Sequence, residues 1–223
     1  SLTRISNVDI EGIATHFPVA DATDDPFTEN QIKTFKQLLK LLQKDGIPYD
    51  MVHAANSAGC VRGAEGLFDM VRVGLMTYGT WPTDMVTEEQ LQPVIEWVSK
   101  VALVKELPGG ASIGYGRTYR APAPMRAAVV PVGYADGYRH ALSNQADVLI
   151  RGHRCPVRGT VSMDQIVVDV THLPHVAAGD LTVLIGRQNH EEITVGELAE
   201  LANTIPYEVT TAIGNRVERV YVD

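Results

Sequence analysis

Tyr49-Asp50-Met51-Val52-His53-Ala54-Ala55-Asn56-Ser57 decides the fold of the first half of the chain. Tyr49 to Ala54 reads as a short apolar strand, and Asn56-Ser57 follows it directly as the start of a brief helix. A strand that feeds a helix within two residues is the unit of a parallel sheet with helical crossovers. The same unit recurs on either side. Upstream, Val8 to Thr15 forms a strand that ends at His16. After the acidic loop Asp21 to Pro26, Thr28 is placed to cap a helix with Ile32, Phe35, Leu38, Leu39 and Leu42 at helical spacing. Gly46 and Pro48 stop that helix. Downstream, Phe68 to Arg72 reads as a third strand ending at Val73-Gly74.

Residues 106–223 read differently. With the preceding residues they offer strands at Val94–Leu107, Ala127–Val132, Val148–Ile150, Cys155–Arg158, Ile166–Val170, Leu181–Ile185, Glu208–Ala212 and Val217–Val222, punctuated by Gly and Pro. That is the pattern of an antiparallel barrel or sandwich, interrupted by one helix, Thr194 to Asn203. The expected organisation is α/β plus β: residues 1–105 as part of a (β/α)8 barrel, and 106–223 as a mainly antiparallel β domain. The boundary is expected near 105–112, at Leu107-Pro108-Gly109-Gly110. Three βα units cannot close a barrel, which takes about 250 residues. Their open edges would be prone to association.

Composition narrows the function. The chain has 223 residues, 45% apolar and 21% charged, with a formal net charge of −8. Mixed charge of that sign argues against a nucleic-acid binder, which presents a basic face. No apolar run is long enough to span a bilayer, and Ser1-Leu2-Thr3-Arg4 is not a signal-peptide start. Cys60 and Cys155 lie far apart without Cys-x-x-Cys spacing, so two buried thiols in a reducing, cytoplasmic compartment are expected.

In βα barrels the chemistry sits where strands end. The three ends here carry His16, His53 to Ser57, and Arg72-Val73-Gly74-Leu75. Each has an ordinary structural reading: a packing histidine, an N-cap, an arginine paired within the fold. Each has a functional one as well. A helix start bearing a hydroxyl suits a phosphate, Gly74 lets backbone amides approach the same anion, and a buried Arg72 requires an acceptor. In the second half Gly114-Tyr115-Gly116 sets a tyrosine between two glycines. Gly133-Tyr134-Ala135-Asp136-Gly137 repeats that pattern, and Ser162-Met163-Asp164-Gln165 is a polar break between apolar strands. Tyrosines in β domains are ordinarily packing residues.

Taken together and in order, His16, His53 to Ser57, Val71 to Leu75 with Tyr78-Gly79, Gly114 to Gly116, Gly133 to Gly137, Ser162 to Gln165 and Tyr207-Glu208-Val209 resemble bacterial alanine racemase, a pyridoxal-phosphate enzyme of fold-type III. The resemblance runs from about residue 8 to the end. It implies that Arg72 meets the pyridine nitrogen of pyridoxal 5'-phosphate, with His16 supporting the arginine. A guanidinium donates without surrendering its proton, so the ring is a weaker electron sink and side reactions such as transamination are suppressed. Ser57, the amides of Gly74 and Leu75, and Tyr207 match positions that hold the cofactor phosphate, and Asn56 belongs to the same turn. Tyr115 matches one of two catalytic bases, the other being a lysine. A tyrosine hydroxyl, with a reference pKa of about 10, needs a site that favours the phenolate. Met163 and Asp164 match residues near the substrate carboxylate. In the family Tyr115, Met163 and Asp164 reach the cofactor of the other subunit, which implies a homodimer with shared active sites. No metal is implied.

Two features depart from the family. Ser162 stands where a cysteine is common. The Schiff-base lysine segment has no counterpart, since Lys33, Lys36, Lys40, Lys44, Lys100 and Lys105 all lie in other contexts. The expectation is therefore a truncation or remnant of a longer cytoplasmic enzyme that supplies D-alanine for peptidoglycan, inactive by itself. A serine racemase of the glycopeptide-resistance type is the nearest alternative, although those enzymes tend to carry asparagine where Tyr207 stands. A non-catalytic dimerising fragment is the alternative from another class. Fold-related decarboxylases lack support, because their glycine-rich phosphate loop and cysteine-aspartate motif are not evident.

Overall fold

The computed structural model describes residues 7–82 and 91–222. The chain divides into two compact units, Ser1–Gln92 and Pro93–Asp223. This division lies upstream of the 105–112 boundary read from the sequence, because residues 97–107 pair with strands of the second unit.

In the first unit, β1 (Gly12–Ala14) and β2 (Met51–His53) pair in parallel, Gly12 with Met51, Ile13 with Val52 and Ala14 with His53. The crossover between them is α1 (Phe27–Lys44). Its Ile32 and Phe35 are buried with Phe17, Ala20, Val52, Ala54, Ala55 and Ala58, the apolar stripe that makes a crossover helix pack on its sheet. Leu38 is the exception to the expected stripe and is exposed. Thr28 does not cap this helix. It lies one residue inside it and is buried, while Asp25 Oδ1 accepts from the Phe27 amide at 2.8 Å ahead of Pro26. Gly46, at φ +68°, ends the helix as expected.

The second helix, α2 (Ser57–Arg62), is capped by Asn56, whose Oδ1 accepts from Gly59 N at 2.9 Å. Arg62 then reaches back to the acidic loop. It pairs with Glu29 at 2.7 Å and donates to the carbonyls of Ala20, Ala22, Thr23 and Asp25. The third expected strand, Phe68 to Arg72, makes only one ladder bridge, Met70 to His53. Two features break it. Phe68 sits at φ +52°, and the Asp69 carboxylate takes the Val52 amide at 2.8 Å that a backbone carbonyl would otherwise accept. The segment still runs beside β2, with Arg72 N donating to Ala55 O at 2.8 Å.

The second unit is antiparallel throughout. Its strands are β3 (Trp97–Lys100), β4 (Leu103–Leu107), β5 (Ser112–Ile113), β6 (Tyr119–Arg120), β7 (Met125–Val130), β8 (Asp147–Ile150), β9 (His153–Pro156), β10 (Ile166–Asp169), β11 (Leu181–Gln188) and β12 (Glu191–Ile193). One sheet runs β10-β7-β4. A second runs β12-β11-β8-β9 with β3 also on β11, and β5-β6 is a separate ribbon. Val148, Leu149, Ile150, Val168, Val183 and Leu184 fill the core and have no accessible surface. Cys155 is buried there, and desolvation with the nearby Asp147 and Asp169 pushes its thiol up to about 12. Cys60 is also a free thiol but only half-buried.

The single strand expected over Val94–Leu107 is two strands, β3 and β4, that serve different sheets across a corner at Val101-Ala102. The expected helix after Thr194 is α3 (Val195–Leu201), with Thr194 as its cap. Glu208–Ala212 is not a strand but part of α4 (Pro206–Ala212). Pro206 stands at the first helical position, which suits proline. The Thr210 and Thr211 hydroxyls both donate to Tyr207 O, at 3.0 and 2.8 Å, so β-prone residues are absorbed into the helix. Val217–Val222 forms no strand, and Val220, Tyr221 and Val222 are exposed.

Candidate active site

In the first unit the strand ends converge on one guanidinium. Arg72 Nη2 donates to Thr15 O at 3.0 Å and Ala54 O at 3.1 Å, and approaches His16 Nδ1 at 3.2 Å, while Nη1 meets His53 Nδ1. Because a guanidinium only donates, both imidazoles accept through Nδ1, and each ring carries its hydrogen on Nε2. The parallel register explains the pairing. Ala14 lies opposite His53, so the chain two residues past β1 delivers His16 to the same end of the sheet. His53 received no role from the sequence, since nothing local shows that it and His16 face one arginine.

Asn56 works on both sides of its turn. Its Oδ1 caps α2, and its amide donates to Phe17 O at 3.0 Å. The 3.4 Å approach to His16 Nε2 is then a packing contact between donors. Ser57 is buried, and its Oγ accepts from the Gly74 amide at 3.1 Å. That amide was expected to be free for an anion. The space beside Gly74 is open, since a Cβ placed there would meet nothing within 4 Å. Leu75, buried, starts a short 3-10 turn through Tyr78.

In the second unit Gly114, at φ +72°, turns the chain so that Tyr115 stands out, 76% exposed. Tyr115, Met163 and Asp164 line one concavity of about 600 Å³ together with Gly114, Thr160 and Gln165. The structure thus gathers three of the four residues to which the resemblance gave a role in this unit. Tyr207 lies on the first turn of α4, 41% exposed, and does not line this cavity.

The Tyr134 turn is the support for Met163 and Asp164. Tyr134 N donates to Ser162 O and Ala135 N to Met163 O, both at 3.0 Å. Asp136 Oδ2 accepts from Gly133 N at 2.9 Å, and Arg216 bridges Asp136 at 3.4 Å to Asp164 at 2.6 Å. Two facing carboxylates hold Arg216 firmly in its charged form. Gly133 is required by space: an added Cβ would lie 2.3 Å from the carbonyl oxygens of both Ser162 and Met163. Gly133→Ala is therefore expected to push the loop off the turn at a cost of about 2 kcal/mol, lowering Tm by roughly 4–8 °C. Thermal melts of the two proteins check this, and an unchanged Tm would contradict the packing account.

None of the six lysines offers a desolvated amine. Lys33, Lys40, Lys44, Lys100 and Lys105 are exposed, and Lys36 pairs with Glu65 at 3.1 Å. Among the described residues no group of three or more His, Cys, Asp or Glu is placed to hold a metal, and no helix is long and apolar enough to cross a membrane.

Comparison with known proteins places both units. The family model described as the alanine racemase C-terminal domain matches residues 94–221, and that of the N-terminal domain matches residues 1–82. An alanine racemase from Halothermothrix orenii is 44% identical over 99% of this chain and 58% of its own length. One from Symbiobacterium thermophilum is 46% identical over 99% and 59%. Among solved structures, alanine racemase from Bacillus anthracis with bound L-Ala-P superposes with a TM-score of 0.91 at 36% identity, covering 96% of this chain and 56% of that one. The Bartonella henselae enzyme with covalently bound pyridoxal phosphate gives 0.85 at 30% identity, covering 96% and 57%. The chain thus spans somewhat more than half the length of the relatives it matches.

Proposed function

The chain belongs to the alanine racemase family, a barrel-plus-β-domain fold, and on that premise we propose that the protein interconverts L- and D-alanine with pyridoxal 5'-phosphate. The observation that carries the reading is the gathering of Tyr115, Met163 and Asp164 around one cavity of the second unit. A strand-end cradle such as that of the first unit would suit many cofactor barrels, whereas an exposed phenol beside a carboxylate-bearing loop suits proton transfer at a small amino acid.

The first unit fits the cofactor. Ser57 and the Leu75 amide, with the open space at Gly74, would hold the phosphate, and Arg72 would face the ring nitrogen. When bound, the cofactor supplies an electron-withdrawing ring that takes up the negative charge left at the α-carbon. Arg72 limits that withdrawal, because it donates a hydrogen bond without giving up a proton. His16 and His53 hold the guanidinium plane, and Asn56 fixes the turn that carries Ser57. Tyr115 removes or returns the α-proton on one face, and a lysine amine does so on the other. No lysine of residues 1–223 has the desolvated setting such an amine needs, so this polypeptide by itself is read as inactive.

Tyr115, Met163 and Asp164 would serve the cofactor of a second subunit in a homodimer. Sedimentation of the active enzyme as a dimer agrees with this, and full activity from a monomer overturns it. The D-alanine formed would feed peptidoglycan synthesis in the cytoplasm. Substrate choice is tested by joining the chain to the portion of a relative that it does not cover, loading it with pyridoxal 5'-phosphate and following L-alanine and L-serine by chiral chromatography. Alanine is expected to turn over faster, as the relatives matched over 99% of the chain are named alanine racemases. Faster serine turnover would overturn the assignment.

A further inference from the structure

Tyr115 is exposed, and its position depends on the backbone that carries it. That backbone is gripped from one side. Gly114 at φ +72° lies against residue 160, where a Cβ would stand 2.9 Å from Thr160 N. Gly159 at φ +81° lies against residue 113, where a Cβ would stand 2.7 Å from Ile113 O. Two glycines face to face let the two chains touch, and a chain of side-chain hydrogen bonds then fixes their register. Thr160 Oγ1 donates to Tyr115 O at 2.8 Å, Thr118 Oγ1 lies 3.2 Å from Thr160 Oγ1, and Asn144 Nδ2 donates to Thr118 Oγ1 at 3.0 Å. Asn144, itself at φ +60°, accepts from Gly159 N at 2.6 Å, which closes the circuit.

The direction of this relay is set at both ends. A carbonyl can only accept and the Asn144 amide nitrogen only donates, so each threonine hydroxyl accepts from behind and donates forward. We propose that Thr160, with Thr118 and Asn144 behind it, is a positioning residue for Tyr115, holding the Gly114-Tyr115-Gly116 turn where the phenol meets the α-proton. The proposal rests on the reading of Tyr115 as a base. Proton transfer is steep in donor–acceptor distance, and a misplacement of about 1 Å can cost a hundredfold in rate.

The test uses the chain joined behind the portion of the Halothermothrix orenii relative that it does not cover, loaded with pyridoxal 5'-phosphate, with Thr160→Val, which keeps the shape of the side chain and deletes the hydroxyl. Thr160→Ser restores the hydroxyl without the methyl, and Asn144→Gly keeps the left-handed backbone while removing the first donor. Thr160→Val is expected to lower kcat about tenfold with little change in KM or Tm, and Thr160→Ser to recover most of it. Asn144→Gly is expected to fall between them. With α-deuterated alanine, the isotope effect should rise for Thr160→Val in one direction of racemisation only, because one face alone uses the phenol. Wild-type kcat in Thr160→Val, an equal loss in Thr160→Ser, or an equal rise in both isotope effects would overturn the proposal. Tyr115→Phe is run beside them. Full activity in that variant would remove the reading beneath the proposal, whereas an inactive Tyr115→Phe with an unaffected Thr160→Val would remove the proposal alone.

Discussion

Tyr115→Phe, in the chain joined to the portion of a relative that it does not cover, is expected to reduce the proposed alanine racemisation by about 10³-fold, the scale of a lost general acid–base group, while leaving Tm and cofactor binding near wild type. The phenol stands on an exposed turn, and its surroundings are set by the backbones of Gly114, Thr160 and Asp164 rather than by its own hydroxyl. Removing one oxygen from an exposed ring creates no cavity and strands no buried partner, so the fold has little reason to respond. Loss of activity with an unchanged melting curve and an unchanged cofactor spectrum is therefore the expected pair of results. Activity within about threefold of wild type would mean that another group moves the proton.

The second large effect is expected at Arg72. Arg72→Ala should lower kcat by roughly 10²–10³-fold, the range seen when a preorganised electrostatic donor is removed, with cofactor still bound through the Ser57 side of the cradle. Stability falls too, because the substitution leaves the carbonyls of Thr15 and Ala54 and two imidazole nitrogens without their donor. The informative readout is therefore the ratio of transamination to racemisation, which destabilisation alone does not move. An arginine that restrains the ring predicts a rise in that ratio. Unchanged turnover and an unchanged ratio would show that Arg72 only ties the strand ends together.

Much of this was legible in the sequence, and the misses share a cause. The strand-to-helix junction at Asn56-Ser57 was readable because a cap, a strand and a helix start follow one another within a few residues. Gly46 and Thr194 were readable for the same reason. The Phe68–Arg72 strand was overdrawn because a carboxylate at Asp69 competes for a ladder bond, which apolar content does not reveal. Glu208–Ala212 read as a strand from its Val and Thr, yet the proline ahead of it was the stronger local signal. Thr28 looked like a cap because capping residues are recognised by type, while Asp25 does that work two residues before the helix begins.

The site divides along the same line. His16, Ser57, Arg72, Tyr115, Met163 and Asp164 sit in short motifs and could be matched one by one. His53 and Thr160 could not, since their importance comes from partners 19 and 45 residues away. A side chain whose role is to hold another leaves no local mark until the register is known.

The central claim is that residues 1–223 carry the cofactor cradle and one of two bases of an alanine racemase but not the second base. It is tested most directly by joining this chain behind the portion of the Halothermothrix orenii relative that it does not cover. Racemisation of L-alanine is then compared with that of residues 1–223 alone, both with pyridoxal 5'-phosphate, followed by borohydride reduction and mass mapping. The account predicts that the joined protein forms D-alanine, with the cofactor fixed to a lysine outside residues 1–223, and that residues 1–223 alone do neither. A specific cofactor adduct on Lys33, Lys36, Lys40, Lys44, Lys100 or Lys105 together with racemisation by 1–223 alone would contradict it. So would a folded, cofactor-loaded joined protein that leaves L-alanine unchanged.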